Sequence, residues 1–292
     1  MKNSDDVVIV QYESQLIMRG LELGEGCLWD AKRQAVHFID ISRFILYTYY
    51  VESKKMEQIN LGDYIGCIVL DEKNQIIAAV RNKLVRVNIE NGTTEVICIL
   101  DLPEGIRFND GKCDQYGNLW VGTIAIEYGP DKMGLGELYC IKENRVIAKY
   151  DGFSIPNGLD WSLDGTKFFH IDTATGNINK YCVEGECRLI NPQVVVKAES
   201  STDGSPDGMC MDEEGDFWTA KWDGNQVACY NAKTGEKIAQ VLLPDPMVTC
   251  CVFGGTDLMD LYITTAQDKE MGGLYVVKNI GSKGKLPQLY RG

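Results

Sequence analysis

Histidine is almost absent: in 292 residues there are two, His37 and His170. Both sit in strand-like runs, AVHFID and KFFHID, where a hydrogen-bonded strand residue is the expected role. A Ser-His-Asp hydrolase triad is thereby disfavoured. No Cys-x-x-Cys pair is present, which argues against a structural zinc site of the usual kind. No apolar run approaches the roughly 18 residues of a membrane span, and MKNSDDVVIVQYES lacks the long apolar segment of a signal peptide. Basic residues are in deficit, 29 against 42 acidic, for a formal charge of -13. Such a chain repels phosphate backbones and anionic lipid alike, so neither nucleic acid nor a membrane is an expected partner. A phosphate-cradling loop is missing too, since GLGELY lacks the glycine spacing and the lysine.

What is present is ordinary globular material, 45% hydrophobic and 24% charged. The 11 cysteines are scattered and mostly inside apolar runs, as in GCIVL, GMCM and VTCCVF. They read as small buried core residues of a reducing compartment, and the expectation is a cytoplasmic protein. Cys250 and Cys251 are neighbours in a strand, and alternation sends their side chains to opposite faces. Asn91-Gly92-Thr93 reads as a turn.

Self-alignment is more informative than any one motif. Six short strands follow polar turns, and their apolar anchors are Val36, Ile76, Leu119, Phe168, Phe217 and Leu261, spaced by 40, 43, 49, 49 and 44 residues. A second apolar strand precedes each anchor across a turn such as LWDAKRQ, VLDEKNQ, KCDQYGN or CMDEEGD. Further strands follow, without an amphipathic helix between them. Six four-stranded units predict an all-β protein, a six-bladed β-propeller forming a single domain over 1–292. VVIVQYES at the amino terminus is expected to supply a strand to the last blade and close the ring.

About ten residues before each anchor, the start of the innermost strand carries a recurrent pair: Glu25-Gly26, Asn109-Asp110-Gly111, Asn157-Gly158 and Asp207-Gly208, with Ile65-Gly66 and Thr249-Cys250 in the other units. Taken singly, Asn-Gly or Asp-Gly is a hairpin turn. Here a separate turn follows each pair, and a propeller places equivalent positions around one channel. Glu25, Asn157 and Asp207 would thus converge as hard oxygen donors suited to one divalent cation, calcium, magnesium, manganese or zinc.

These motifs resemble the senescence marker protein 30, or regucalcin, family, which includes gluconolactonases and luciferin-regenerating enzymes. The matching stretches are GEGCLWD, RFNDGKCDQYGNLWVGT, SIPNGLDWSLDG, SPDGMCMDEEGDFW, VTCCVFGG and GSKGKLP, spread over nearly the whole chain. The resemblance implies a six-bladed propeller with one divalent metal held by a Glu, an Asn and an Asp, which fall on Glu25, Asn157 and Asp207. It further implies substrate contacts at Arg107 and Asn109 in RFNDG and at Glu127 in VGTIAIE. Where relatives commonly have Pro after Glu-Gly, this chain has Cys27.

The implied chemistry is metal-dependent opening of a small-molecule sugar lactone such as gluconolactone. The cation would polarise the carbonyl, and Asp207, ionised at neutral pH, would act as general base. Asp110 is open between an outer role and a turn acid, and the loop after Glu127 between a lid and plain surface. Two alternatives stay open: a non-catalytic calcium-binding regulatory protein, and a hydrolase of organophosphates or cyclic nitriles using the same metal site.

Overall fold

A computed structural model describes residues 9–197 and 203–292. Six sheets radiate from one axis, four of them built from four consecutive antiparallel strands and two completed by amino-terminal strands, so the propeller read from the 45-residue period is the observed architecture. Blade 1 runs from the inner strand Gly24–Asp30 to the outer strand Lys55–Asn60, and the inner strands of blades 2 to 6 are Ile65–Leu70, Ile106–Cys113, Pro156–Trp161, Ser205–Met211 and Val248–Gly254. The described residues contain no α-helix, only two 3-10 turns at Pro130–Lys132 and Thr173–Thr175.

Closure differs in detail from the sequence expectation. Val10–Glu13, within VVIVQYES, pairs in parallel with Lys237–Leu242 at the outside of blade 5, not with the last blade. The following segment, Gln15–Leu21, forms the outer strand of blade 6 against Gly272–Val277. The last blade is therefore completed by chain from both ends, which joins the first and last turns of the ring.

The polar turns recur for a physical reason. Asp114 accepts from the amides of Tyr116 and Asn118 and from the Trp120 indole, 2.9 Å away, and Asp212 does the same for Glu214, Asp216 and Trp218. One carboxylate thus satisfies a tight turn and anchors the buried aromatic that follows it. These aromatics are the packing between blades: Trp120 lies against Phe168, Trp218 meets Phe253 edge-on and Trp29 stacks on Tyr262.

Both histidines are fully buried strand residues, but only one is satisfied. His37 contacts Thr48 Oγ1 at 2.9 Å and Asp30 at 3.3 Å. Neither ring nitrogen of His170 has a partner among the described residues, and its ring packs between Phe153 and Phe168. Burial pushes its pKa from 6.5 down to about 3. A folded pKa below the unfolded one means stability is complete above about pH 6.5 and is lost as pH falls toward 3. His170 should therefore cost the fold about 2 kcal/mol at pH 5 relative to pH 7.5. His170→Phe should flatten that acid limb in urea titrations at the two pH values; an unchanged limb would place the sensitivity elsewhere.

The cysteines depart from the all-thiol expectation at one place. Cys140 in blade 3 and Cys187 in blade 4 form a disulfide, with Cα atoms 6.6 Å apart, while the nine others are free thiols. Cys251 approaches Cys210 of blade 5, Sγ to Sγ 3.7 Å, and so faces away from its neighbour Cys250.

Candidate functional site

At the start of every inner strand the pairing register slips: between Glu25 and Leu28, Ile65 and Cys67, Phe108 and Gly111, Asn157 and Leu159, Pro206 and Met209, and Val248 and Cys250. A bulge bends a strand and re-aims the side chains beside it. Here it repeats around the channel at the residue pairs that the sequence singled out.

The glycines in those pairs follow from crowding. A Cβ on Gly158 would lie 2.4 Å from the Asp207 carbonyl, and one on Gly208 would lie 2.8 Å from that of Thr249. Neighbouring inner strands pass too closely for a side chain, so Asp207-Gly208 opens a strand instead of turning the chain.

Arg107, Asn109, Asn157 and Asp207 form one hydrogen-bonded set with Thr173. Asn157 Nδ2 donates to Asp207 Oδ1 and to Thr173 Oγ1, and Thr173 in turn donates to the Pro206 carbonyl at 2.8 Å. Asn109 Nδ2 donates to the Pro156 carbonyl at 3.0 Å and toward Asn157 Oδ1 at 3.4 Å, while its Oδ1 accepts from Arg107 Nη1 at 3.1 Å. Glu25 receives the Gly26 amide at 2.8 Å, and Asp110 receives that of Gly111 at 2.7 Å. Glu25, Arg107, Asn109, Asn157 and Asp207 are all buried.

Electrostatics distinguish this place from a satisfied polar core. Burial, and then the nearby charge of Asp110, push Glu25 up to about 8, although the Gly26 amide and Arg107 pull the other way. Burial raises Asp207 well above the carboxylate range, with Glu25 and Asp110 adding to it, and burial also raises Asp110. Arg107 is pushed down to about 10 by burial, against the pull of Glu25. Three carboxyls thus share a space in which their charges are poorly compensated. In the chain alone, burial, with repulsion from Glu25 and Asp110 added to it, shifts Asp207 toward its protonated form.

A divalent cation fits this donor set. Carboxylate, carboxamide and carboxylate are hard oxygen ligands, and two positive charges would offset the burial and repulsion that raise Glu25 and Asp207. Elsewhere among the described residues, Asp114 lies with its carboxylate close to the sulfurs of Cys140 and Cys187. The two sulfurs are joined to each other, and Asp114 already serves Asn118 and Trp120.

Glu127 does not join the ring. It lines a neighbouring cleft with Tyr64, Arg81 and Lys132, in the loop whose core is the turn Pro130–Lys132. Residues missed from sequence link that cleft to the site: the Tyr64 ring lies 5.7 Å from the Arg107 guanidinium and 5.9 Å from that of Arg81. Thr173 was also missed. Nothing in the local sequence marks these residues, because each is brought in from a turn of an adjacent strand.

Behind the acids the channel continues as a cavity of about 170 Å³ lined by Cys27, Cys67, Lys112, Cys210 and Cys250. Its far end is covered by the carboxy-terminal segment, which pairs at Gly284 with Asp212 and at Tyr290 with Asp71. Lys285 reaches in from that segment to Asp160, which also receives Lys112.

Comparison with known proteins places this geometry. Residues 23–267 match the profile of the SMP-30/Gluconolactonase/LRE-like region. "Regucalcin" of Danio rerio is 31% identical over 283 residues, 93% of this chain and 95% of its own. "Putative sugar lactone lactonase YvrE" of Bacillus subtilis (strain 168) is 33% identical over 250 residues, 85% of this chain and 84% of its own. Among solved structures, a luciferin-regenerating enzyme aligns with a TM-score of 0.87 at 26% identity, over 94% of this chain and 97% of its own.

Proposed function

We propose that this chain, which belongs to the SMP-30/gluconolactonase/LRE-like family of hydrolases, opens sugar lactones with the help of one divalent cation held by Glu25, Asn157 and Asp207. The observation that supports the reading is the hydrogen-bonded set of Asp207, Asn157, Asn109 and Arg107 at the starts of adjacent inner strands, with Glu25 buried at the equivalent position of blade 1. When bound, the cation would supply Lewis-acid chemistry, polarising the lactone carbonyl and acidifying water.

The reaction joins a water oxygen to the carbonyl carbon and breaks the ring C–O bond; the ring oxygen leaves as a hydroxyl and the acid formed ionises, releasing one proton. Asp207 is the base that takes the proton from the attacking water, a role open to it once its carboxyl is ionised. Asn157 fixes the orientation of that carboxyl by donating to Oδ1. Arg107 spends Nη1 on the Phe108 carbonyl and on Asn109, and its other donors remain for substrate hydroxyls. Asn109 ties Arg107 to Asn157 and acts first as a brace, since Pro156 and Asn157 take both of its amide hydrogens. Glu127, in the cleft, would meet the part of the substrate farthest from the carbonyl.

The test is hydrolysis of D-glucono-1,5-lactone, followed by proton release, on chelator-stripped protein before and after separate additions of calcium, manganese, magnesium and zinc. Restored turnover supports the reading and ranks the ions. Protein that binds metal and opens no lactone would sink it, and would favour a regulatory ion-binder. Arg107→Ala should raise KM by about tenfold or more with a smaller change in kcat. Loss of metal content in that variant would show that the division between ligands and substrate contacts is wrong.

A further inference from the structure

The cleft that holds Glu127 is too large for an accessory corner of a monosaccharide site. Its volume is about 650 Å³, within the range of roughly 300–1,000 Å³ of complete small-molecule sites, and it adds to the space at the channel mouth. The two are adjacent, because Tyr64 lines the cleft and stands beside the Arg107 guanidinium.

Its lining has the chemistry of a sugar subsite. Arg81 and Lys132 offer donors, Glu104, Glu127 and Asp151 offer acceptors, and Tyr64 offers an aromatic surface. Neighbouring hydroxyls of a saccharide both donate and accept, so walls of mixed sign match them. A phosphate or carboxylate would want cations in excess, and here acids outnumber bases.

Arg81 is fixed by the backbone. It opens the two-residue turn between Ile76–Val80 and Lys83–Val87, whose geometry accounts for its φ of +57°. Its amide donates to the Tyr64 carbonyl and its carbonyl accepts from Phe108, both at 2.8 Å, which fixes it between blades 2 and 3. The guanidinium has one long ionic contact, 4.0 Å to a half-exposed Asp63. A weakly paired guanidinium held in place at the rim of a cleft is available to a ligand.

We propose that the substrate is a glycosyl-aldonolactone, a disaccharide oxidised at its reducing end, with the lactone ring at the acidic ring of the channel and the second, neutral sugar in the cleft against Arg81, Tyr64 and Glu127. This rests on the lactonase reading above.

The experiment compares kcat/KM for glucono-1,5-lactone, its 6-phosphate, cellobiono-1,5-lactone and maltobiono-1,5-lactone, in the natural protein and in Arg81→Asn. Asparagine tolerates the left-handed conformation, so the fold is kept, and thermal melting checks it. One of the disaccharide lactones should be preferred over gluconolactone by about tenfold or more, equivalent to about 1.4 kcal/mol, mainly through KM. Arg81→Asn should bring that ratio close to parity. Gluconolactone or its phosphate opened as well as both disaccharide lactones would overturn the proposal, as would a preference that survives Arg81→Asn. Calorimetric binding of cellobionate, maltobionate and gluconate separates the two readings. Absence of all turnover refutes the lactonase, whereas equal binding of the three acids refutes the cleft on its own.

Discussion

Asp207→Asn should lower metal-dependent turnover by about 10³-fold or more, at least the middle of the range a lost general base costs, because a ligand charge goes with it. The same variant should melt at a higher temperature than the natural protein when both are stripped of metal at neutral pH. The sign follows from the direction of the shift. Burial and the charges of Glu25 and Asp110 raise Asp207 in the fold, whereas in the unfolded chain it ionises near the ordinary value of about 3.9. Above that pH the unfolded state releases a proton that the fold retains, so the carboxyl opposes folding, and a neutral amide removes the opposition. The stability difference should fade as pH drops below about 4. Added cation should reverse the order, stabilising the natural protein and not the variant. Metal content, kcat and melting with and without chelator check the set; an active variant with normal metal content would remove Asp207 from the site.

That these residues could be found from sequence, while the direction of their pKa shifts could not, has a simple cause. Glu25, Asn109, Asn157 and Asp207 occupy the equivalent position in four of the six blades, and equivalent positions of a closed repeat must face the same axis. Periodicity was enough to bring them together. Charge state depends on how far water is excluded, and the burial of Asp207 follows from the close passage of neighbouring inner strands at Gly158 and Gly208. Tyr64 and Arg81 were illegible for another reason: each is a lone residue at a strand end, without period, and only the stagger of blade 2 against blade 3 sets Tyr64 beside Arg107. Cys140 and Cys187 are 47 residues apart in different blades, a contact that spacing cannot predict. The amino-terminal strands were read one blade out because Val10–Glu13 and Gln15–Leu21 are both apolar enough to pair. Only the three-dimensional edge left open in blade 6 selects the second of them.

Asp160→Ala should be the most destabilising charge removal at the floor of the channel. The side chain accepts from Lys112 Nζ at 2.9 Å, Lys285 Nζ at 3.2 Å and the amides of Trp161 and Met211 at 2.8 and 3.1 Å. Burial alone would raise its pKa, but Lys112 and then Lys285 outweigh burial and hold it at about 2. Removing it leaves two ammonium groups facing one another in a narrow cavity. Loss of one partner from a fully buried pair costs about 3–5 kcal/mol. Lys112 and Lys285 keep 31% and 28% of their side-chain exposure, so water screens the remainder and about 2 kcal/mol is expected. That corresponds to a melting temperature lower by about 4–8 °C in a chain of this size. Because a lowered carboxyl stabilises the fold above its unfolded pKa, the gap between the two proteins should be complete at neutral pH and should narrow as the medium is acidified toward pH 2. Lys285 belongs to the segment that covers this end of the channel, so proteolysis after Lys283 or Lys285 should accelerate in the variant as the segment lifts. Equal cleavage rates would mean that the pairings of Gly284 and Tyr290 hold it without the charge.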